Sequence, residues 1–293
     1  MPPEPASTTQ QVAEPFTCSG FTGQLIAVHR PRDLDATLAR LTDPASATET
    51  LHWGRNYLYT ARLETVTGAC DVVVKQFRNQ TLRQRLRRRL GGSKAERNWR
   101  TALAFRAAGI PTPEPLLWIE SAAPAGPSFF VSRRLEGFFE SRYFLRARNA
   151  GRESEEFPRV GAGTFFDRLG RQLRQMHDAG VWHRDVSIGN LLVRLEEDGP
   201  VFFFVDLNRA RLGRHLGVSR RSRDICRLRI LRREDRRRLL DAYWGDDGAT
   251  VVARAVYAVA FRGFLFKNGI KAALRAPLKI ARGARPARRP HPH

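Results

Sequence analysis

A short stretch of the chain, VWHRDVSIGN, has the side-chain types that chemistry on a phosphate needs. It contains His183, Asp185 and Asn190, and Asp206 follows after a predicted hairpin. A carboxylate can take a proton from a hydroxyl group, and carboxylate and amide oxygens are ligands that Mg²⁺ prefers. Lys75, far upstream, adds a cation that can hold phosphates as a point charge. These types together suit phosphoryl transfer, although the loop letters alone could be a chance match on a surface turn.

The elements predicted around these residues give the match its context. The stretch CDVVVKQF predicts a strand that carries Lys75 and pairs as a hairpin with NYLYTARLE. Ser93 is predicted to cap a helix that contains Glu96 and ends at Gly109. The periodicity of TFFDRLGRQLRQMHDAG predicts an amphipathic helix before the loop. After the loop, NLLVRLEE and VFFFVD predict a hairpin that ends in Asp206.

The order strand-Lys, helix-acid, His-x-Asp-x-x-x-x-Asn and strand-Asp resembles the protein-kinase-like fold. The resemblance implies an α+β, two-lobed fold with a small antiparallel β lobe carrying one helix and a larger, mainly helical lobe. We expect four segments: a disordered leader at 1–22, an N-terminal nucleotide-binding lobe at 23–135, a C-terminal catalytic and acceptor lobe at 136–270, and a basic tail at 271–293.

The resemblance also implies a role for each residue of the constellation. Lys75 would hold the α- and β-phosphates of ATP, and Asp206 would hold Mg²⁺ that bridges the phosphates. Asn190 would supply an oxygen ligand to a second metal ion. Asp185 would orient the acceptor hydroxyl and take its proton. His183 is expected to brace the loop by hydrogen bonding and not to act as a base.

Two further groups of residues are expected beside the nucleotide. The segment RRLEG falls where the connection between the lobes should lie, so backbone groups near Leu135 and Glu136 could bind adenine. Glu96 could pair with Lys75, as a helix Glu often does in kinase-like folds. In many proteins with a kinase-like fold, that Glu directly precedes the aromatic residue of the helix. This chain has Asn98 before Trp99, and Glu96 lies two positions earlier. Because two residues turn a helix by about 200°, Glu96 could equally be a solvated helix residue.

Longer stretches resemble one family more closely than ordinary Ser/Thr protein kinases. Those kinases carry Lys two residues after the catalytic Asp, where this chain has Ser187, and Asp-Phe-Gly where this chain has DLN. They also have an Ala-Pro-Glu segment that is missing here, and a Gly-rich loop for which Gly54 is a weak candidate. The stretches SKAERNWRTALAFRAAGIPTPEPL, HRDVSIGNLLV and FVDLNRAR are similar to the lipopolysaccharide kinase family, which includes the Kdo and heptose kinases of the lipopolysaccharide core. The resemblance covers roughly residues 50–230 and implies ATP, Mg²⁺ and a lipid-linked sugar acceptor.

The composition bounds the class of protein. A chain of 293 residues with 42% hydrophobic content can bury one large core or two. The three cysteines, Cys18, Cys70 and Cys226, are widely spaced and odd in number, which fits a reducing cytosol. The N-terminus lacks the features of a signal peptide, and no apolar run is long enough to span a membrane. We therefore expect a cytoplasmic protein that meets a membrane only peripherally, on its inner face.

The net charge of +22 predicts anionic partners. Thirteen arginines lie between residues 209 and 238, and the tail from Lys271 has seven basic residues. Another cluster comprises Arg83, Arg85, Arg87, Arg88 and Arg89. Arginine forks suit phosphate and carboxylate, while a solvated helix face would account for some of them. We expect a glycolipid and an anionic membrane surface as partners, and do not expect nucleic acid.

Two alternatives stay open at this point. One is a protein Ser/Thr/Tyr kinase, against which Ser187 and the missing Ala-Pro-Glu argue. The other is a non-catalytic basic binding module on a kinase-like fold, which would have no reason to retain Lys75, Asp185, Asn190 and Asp206 together. His177, at the end of a predicted helix, is interpreted as part of a capped helix terminus.

Overall fold

The computed structural model describes residues 12–53, 56–78, 92–123, 125–152, 161–213, 215–245 and 250–283, with backbone alone from residue 271. Its first lobe is built on one antiparallel sheet and two helices. The strands are β1 Ala13–Cys18, β2 Phe21–Ile26, β3 Glu49–Trp53, β4 Asn56–Thr65, β5 Gly68–Phe77, β6 Pro115–Ser121 and β7 Ser128–Arg133. The helices are α1 Leu34–Thr42 and α2 Lys94–Ala107. The strand order in the sheet is β1-β2-β6-β7-β5-β4-β3.

The predicted hairpin of β4 and β5 forms the side of the sheet that carries Lys75. Two residues connect the strands, and Thr65 pairs with Gly68, whose φ of +131° suits glycine. Lys75 pairs with Leu58 on one neighbouring strand and with Phe130 of β7 on the other. The lysine is therefore held inside the sheet by two neighbours, and the strands predicted at 56–64 and 70–77 are confirmed.

The start of the chain differs from the expectation. A disordered leader to residue 22 is wrong for residues 13–22, because they form β1 and the start of β2. The two strands pair with each other, and β2 also pairs with β6 from Phe21 to Leu25. Phe16 packs against the core beside the sheet, so this hairpin buries apolar surface. The helix α1 was not predicted; it is capped by the side chain of Asp33.

The second lobe is mainly helical. Its helices are α3 Ser141–Asn149, α4 Ala162–Asp178, α5 Val218–Cys226, α6 Arg233–Trp244 and α7 Thr250–Gly283. Its strands are β8 Phe139–Glu140, β9 Val181–Trp182, β10 Leu191–Glu196, β11 Gly199–Phe204 and β12 Arg211–Leu212. They form one sheet of order β11-β10-β8 and one pair of β12 with β9. The predicted helix before the loop and the hairpin after it are confirmed.

Close helix packing explains one glycine of α4. A Cβ atom at Gly170 would lie 2.6 Å from the Leu239 carbonyl oxygen, so only glycine lets α4 approach α6 this closely. The neighbouring Phe165 ring stacks on Phe144 at 3.9 Å between centroids and meets Phe202 edge-on at 4.9 Å. These contacts fix the helix that leads into the loop of residues 183–190.

Helix α2 joins the two lobes through the core. Trp99 and Phe105 are buried in the same cluster as Phe165, and the Phe105 ring meets the Phe204 ring edge-on at 6.2 Å. The chain passes between the lobes in segment 134–138, between β7 and β8. The expected domain boundary at residue 135 falls in this segment.

The last helix, α7, runs past residue 270 to Gly283, so the first part of the expected basic tail has helical backbone. Its inner side packs on the second lobe through Tyr257 and Phe261, whose rings stack. None of the helices in the described ranges is long and apolar enough to cross a membrane.

Candidate active site

The backbone of the predicted catalytic loop is held by one buried carboxylate. Asp224 Oδ2 accepts hydrogen bonds from the backbone N–H of His183 at 3.0 Å and of Arg184 at 3.2 Å. Arg184 has a φ of +66°, in the left-handed region that side-chain-bearing residues seldom adopt. The two hydrogen bonds therefore stabilise a turn that the residue type alone would disfavour.

His183 braces the loop from inside the core. Its side chain is completely buried, and Nε2 lies 3.2 Å from the carbonyl oxygen of Val205, so Nε2 carries the proton. Burial lowers the pKa of His183 below its usual value, against the attraction of the nearby carboxylates. A neutral imidazole that donates to a backbone carbonyl is a structural element, in agreement with the expectation for His183.

His177 belongs to the same buried network. Its Nδ1 lies 2.6 Å from the Tyr243 hydroxyl, and its Nε2 lies 3.4 Å from Asp224 Oδ2. Burial lowers the pKa of His177 although Asp224 acts in the opposite direction. The interpretation of His177 as a capped helix terminus is wrong, because the ring points into the core and supports Asp224.

Sequence reasoning missed Asp224, although the sequence contains a signal for it. Asp224 is the one acidic residue between Asp206 and Glu234, in a stretch dense with arginine. It precedes the apolar pair Ile225-Cys226, and all three side chains are buried. A single acidic residue next to apolar residues in an otherwise basic stretch, such as Asp224, indicates a buried hydrogen-bond acceptor and not a solvated charge.

Both carboxylate oxygens of Asp185 contact arginines. Oδ1 lies 3.1 Å from Arg227 Nη1, and Oδ2 lies 3.5 Å from Arg209 Nη1. Asp185 is also joined to Asn190, whose side-chain Nδ2 donates to the Asp185 carbonyl oxygen at 2.8 Å. The loop thus presents one half-buried carboxylate and one amide group whose nitrogen is already used.

Asp206 and Lys75 meet across the lobes. Asp206 follows β11 with left-handed backbone angles, φ 57° and ψ 56°, and its Oδ1 accepts from Lys75 Nζ at 2.8 Å. Asn208 Nδ2 donates to the same oxygen. Burial alone would raise the pKa of Asp206, but the Lys75 charge and these hydrogen bonds hold the pKa below its usual value. Asp206 is therefore charged at neutral pH.

Of the two alternatives for Glu96, the ion pair with Lys75 does not form in the structure. Glu96 lies in the first turn of α2, where its N–H donates to the capping Ser93 hydroxyl. Its carboxylate contacts Arg100 Nη2 at 2.5 Å, one turn further along the helix. The geometric reason is the position in the helix, since Asn98 and not Glu96 lies among the buried residues of α2.

Leu135 and Glu136 lie in the connection between the lobes, as expected. Leu135 is half-buried, Glu136 is exposed, and neither belongs to a strand or helix. The preceding Arg134 donates its N–H to the Asp71 carbonyl oxygen at 2.8 Å, which ties the connection to the sheet that carries Lys75. Backbone groups at these two positions remain candidates for adenine contact. Gly54, the weak candidate for a Gly-rich loop, lies outside the described residues.

The donor set suits Mg²⁺ only together with a phosphate ligand. Within the described ranges, no group of three or more His, Cys, Asp or Glu side chains could hold a metal ion. Asp206 Oδ2 takes no hydrogen bond from the described residues, and the Asn190 amide nitrogen is fixed, which leaves its oxygen as the ligand atom. Mg²⁺ is commonly held by one or two such oxygens with substrate phosphates and water completing the shell. The residues present therefore fit a metal ion that arrives with a nucleotide.

Many arginines of the 209–238 cluster have specific partners. Arg221 contacts Asp178 at 2.6 Å, Arg238 makes two hydrogen bonds to Asp167, and Arg236 donates to two backbone carbonyls. These arginines therefore do not simply form the solvated face of a helix. The cluster of Arg83, Arg85, Arg87, Arg88 and Arg89 lies outside the described residues.

Comparison with known proteins identifies a family and similar folds. The family described as Lipopolysaccharide kinase (Kdo/WaaP) matches residues 53–244, more than half of the chain. A solved structure of WaaP in complex with acyl carrier protein matches with a TM-score of 0.54 at 20% identity, over 81% of this chain and 92% of that chain. The Cydia pomonella granulovirus kinase PK-1 matches with a TM-score of 0.39 at 14% identity, over 60% of this chain and 59% of that chain. No curated protein matches the sequence.

The likeness to WaaP supports the two-lobed, protein-kinase-like fold. The family match covers β4, β5, α2, the loop of residues 183–190 and Asp206. It therefore confirms the resemblance inferred from the motifs: this chain belongs to the lipopolysaccharide kinase (Kdo/WaaP) family.

Proposed function

We propose that this chain is an ATP-dependent kinase that transfers the γ-phosphoryl group to a sugar hydroxyl of a lipopolysaccharide core or a similar glycolipid. The observation that carries the proposal is the contact of Lys75 with Asp206, beside the loop that holds Asp185 and Asn190. A lysine and a metal-binding carboxylate brought together from two lobes are the arrangement that phosphoryl transfer needs.

Each residue has a separate task in this reaction. Lys75 is 2.8 Å from Asp206 and can exchange that contact for the phosphates of ATP. Asp206 and Asn190 would hold Mg²⁺, which when bound neutralises charge on the phosphates. Backbone groups of Leu135 and Glu136 would contact adenine in the connection between the lobes.

Asp185 would act on the acceptor. Its carboxylate accepts the hydroxyl proton while the hydroxyl oxygen bonds to the γ-phosphorus. The bond between that phosphorus and the bridging oxygen breaks, and ADP leaves with the electron pair. Asp185 is well placed for this because it is only partly buried and its backbone is fixed by Asn190.

The surroundings of Asp185 suit an acidic acceptor. Arg209 contacts Asp185, yet 64% of its side chain is exposed, so its guanidinium can also bind an incoming anion. A guanidinium binds carboxylate or phosphate by two parallel hydrogen bonds. A sugar bearing one of these groups next to its hydroxyl would therefore be held beside Asp185.

We place the protein peripherally on an anionic membrane surface, through helix α7. Val252, Val259 and Phe266 are each about seven residues apart on this helix and largely exposed, and we call them the α7 stripe. Arg262 and Lys267 are exposed beside the stripe. Apolar side chains flanked by basic ones suit the boundary between lipid headgroups and acyl chains. The solved WaaP was in complex with acyl carrier protein, so that partner is the alternative occupant to test.

A direct assay tests the proposed reaction. Purified protein is incubated with ATP, Mg²⁺ and purified lipopolysaccharide core glycolipid, and the product is identified by mass spectrometry. Asp185→Asn is expected to slow transfer by about 10²–10⁴-fold, as removal of a general base does, with nearly unchanged nucleotide affinity. Asp206→Asn is expected to weaken binding of the Mg²⁺–nucleotide complex itself. Phosphate transfer to added protein and not to glycolipid would instead favour a protein kinase. The absence of any ATP turnover would favour a non-catalytic binding module.

A further inference from the structure

The positive charge next to the Asp185 carboxylate comes from residues that follow Asp206 and not from the catalytic loop itself. Protein kinases carry a lysine two residues after the catalytic Asp, and this chain has Ser187 there. The Ser187 N–H donates to the Asp185 carbonyl oxygen at 2.7 Å, so the residue shapes the turn, but its side chain supplies no charge. Among the described residues, the cations that contact Asp185 are instead Arg209 and Arg227.

Of these two arginines, Arg227 is the one built into the support of the loop. It is the C-terminal cap of α5, and its N–H donates to the carbonyl oxygen of Asp224 at 3.0 Å. Asp224 in turn holds the N–H groups of His183 and Arg184. One helix end therefore contacts three consecutive residues of the loop, the first two through a carboxylate and the third through a guanidinium.

Exposure separates the roles of the two arginines. The Arg227 side chain is 36% exposed and lies 3.1 Å from Asp185 Oδ1, whereas Arg209 is 64% exposed at 3.5 Å from Oδ2. Ion pairs at this level of exposure contribute little to folding. The Arg227 contact starts from the helix end that also holds the loop backbone through Asp224, and this shared support points to a role in placing the carboxylate.

We propose that Arg227 is the positioning residue of the catalytic carboxylate and takes the place of the lysine that protein kinases carry within the loop. This inference rests on the proposed function. Arg227 fixes Oδ1 of Asp185, while Oδ2, which contacts the largely exposed Arg209, accepts the proton of the acceptor hydroxyl once Arg209 binds the anionic group of the acceptor.

The test compares five proteins: wild type, Arg227→Gln, Arg227→Lys, the double variant Arg227→Gln with Ser187→Lys, and the control Arg223→Gln. Arg223 is an exposed arginine of the same helix, so its replacement removes the same charge away from Asp185. The rates measured are phosphate transfer to purified core glycolipid and hydrolysis of ATP by water. The kcat, and the KM for ATP and for the glycolipid, are determined separately, and thermal melting checks folding.

Arg227→Gln is expected to lower kcat by about 100-fold, the effect of a misplaced catalytic group, with the KM for ATP within a factor of about three. Arg227→Lys should retain a larger share of kcat, and Ser187→Lys should restore kcat by about 10-fold in the Arg227→Gln background. The rescue distinguishes positioning from a structural role, because a lysine at position 187 can restore a cation beside Asp185 but cannot restore side-chain packing lost at the end of α5.

Three results would overturn the inference: kcat of Arg227→Gln equal to that of Arg223→Gln, a loss confined to the KM for glycolipid, or a rise in kcat. Equal kcat values would mean that the contact has no part in catalysis. A loss confined to the KM for glycolipid would mean that Arg227 binds the acceptor. A rise in kcat would mean that Arg227 hinders Asp185 in the wild type. If Arg227→Gln does not fold, Arg227→Met, which keeps the aliphatic part of the side chain and removes the charge, takes its place, and a kcat equal to that of Arg223→Gln then contradicts the proposal. Wild-type transfer to water and not to glycolipid would contradict the proposed acceptor alone, and the comparison of variants then uses ATP hydrolysis. A wild type that turns over no ATP contradicts both proposals.

Discussion

Lys75 Nζ lies 2.8 Å from Asp206 Oδ1 although 131 residues separate the two in sequence. Lys75 is fixed between two neighbouring strands of the first lobe, and Asp206 leaves β11 of the second lobe in a left-handed conformation. The pair therefore joins the lobes at the point where the nucleotide phosphates are proposed to bind. On the acid side of neutral pH, the pair should weaken only where Asp206 becomes protonated.

The first prediction concerns this pH dependence. The pKa of Asp206 is held below its usual 3.8, so the stabilising contribution of the pair is complete above that pH and is lost as the pH falls through the lowered value. Because Asp206 is nearly half exposed, the contribution should not exceed about 1 kcal/mol. The measurement is the free energy of unfolding of wild type minus that of Lys75→Met. The difference should be equal at neutral and mildly acidic pH and should shrink only below the usual pKa of Asp, and a change near neutral pH would contradict the assignment.

The second prediction concerns the two buried histidines. Burial holds the pKa of both His177 and His183 below 6.5, so both are neutral in the folded protein. Unfolded histidines bind protons as the pH falls below 6.5, and folding stability should then decrease by up to about 1.4 kcal/mol per pH unit for each histidine. Urea unfolding between neutral and mildly acidic pH measures this slope.

His177→Gln should remove about half of the slope, since one of two titrating groups is lost. His215 is exposed and provides the matched control, because its replacement removes an imidazole that lies outside the buried network. A slope unchanged in His177→Gln, or changed equally in His215→Gln, would show that the buried network does not govern the pH dependence.

The third prediction is that Glu96 is dispensable for catalysis. Its carboxylate pairs with Arg100 one turn further along α2, and pairs between residues four apart on a helix contribute roughly 0.2–0.5 kcal/mol. Glu96→Gln should therefore lower stability slightly and change kcat by less than about two-fold, within the small effect of ordinary surface substitutions. Lys75→Met, measured in parallel, should abolish transfer. A large loss in Glu96→Gln would mean that Glu96 moves to Lys75 when nucleotide binds.

The residues with proposed chemistry could be predicted because each follows a local pattern. Lys75 and Asp206 end β-rich runs, and Asp185 and Asn190 keep a fixed spacing within one loop. Such local patterns can be found in the sequence without knowing which strands and helices pack against them. The fold class followed from their order along the chain, since a strand, helix and loop in that sequence occur together in few architectures.

The supporting residues could not be found in this way. Arg227 and Asp224 act across more than forty residues, and an arginine that holds a carboxylate has the same sequence signature as one on a solvated face. The hairpin of β1 and β2 was hidden because β1 is a short edge strand with Pro15 in it, and proline weakens the pattern of a strand. The position of Glu96 required the rotation of α2, which Ser93 at its cap and the buried Trp99 set together.

The last prediction concerns the α7 stripe and the membrane. Val252, Val259 and Phe266 are 68%, 73% and 73% exposed and follow one another at intervals of seven residues, so they lie on one side of the helix. Replacing all three by Ser should weaken binding to vesicles of equal parts phosphatidylglycerol and phosphatidylcholine by about 10-fold or more, because each apolar side chain contributes roughly 1.5–3 kcal/mol when fully buried and less at an interface. Transfer to a water-soluble core fragment should be unchanged, since the stripe is not part of the catalytic loop.

The control for this variant is Val28→Ser with Val66→Ser, two valines of the first lobe with comparable exposure. Arg262→Ser with Lys267→Ser tests the electrostatic part: vesicle binding should weaken at low salt, and its decrease with rising salt should become shallower, because the screening length falls from about 8 Å at 0.15 M to about 3 Å at 1 M. If the stripe variant binds vesicles as wild type does but no longer binds purified acyl carrier protein, the occupant of this surface is a protein and the membrane proposal is wrong. Equal losses in the Val28 and Val66 control would mean that apolar exposure anywhere on this basic protein suffices for vesicle binding, and that α7 has no special part in it.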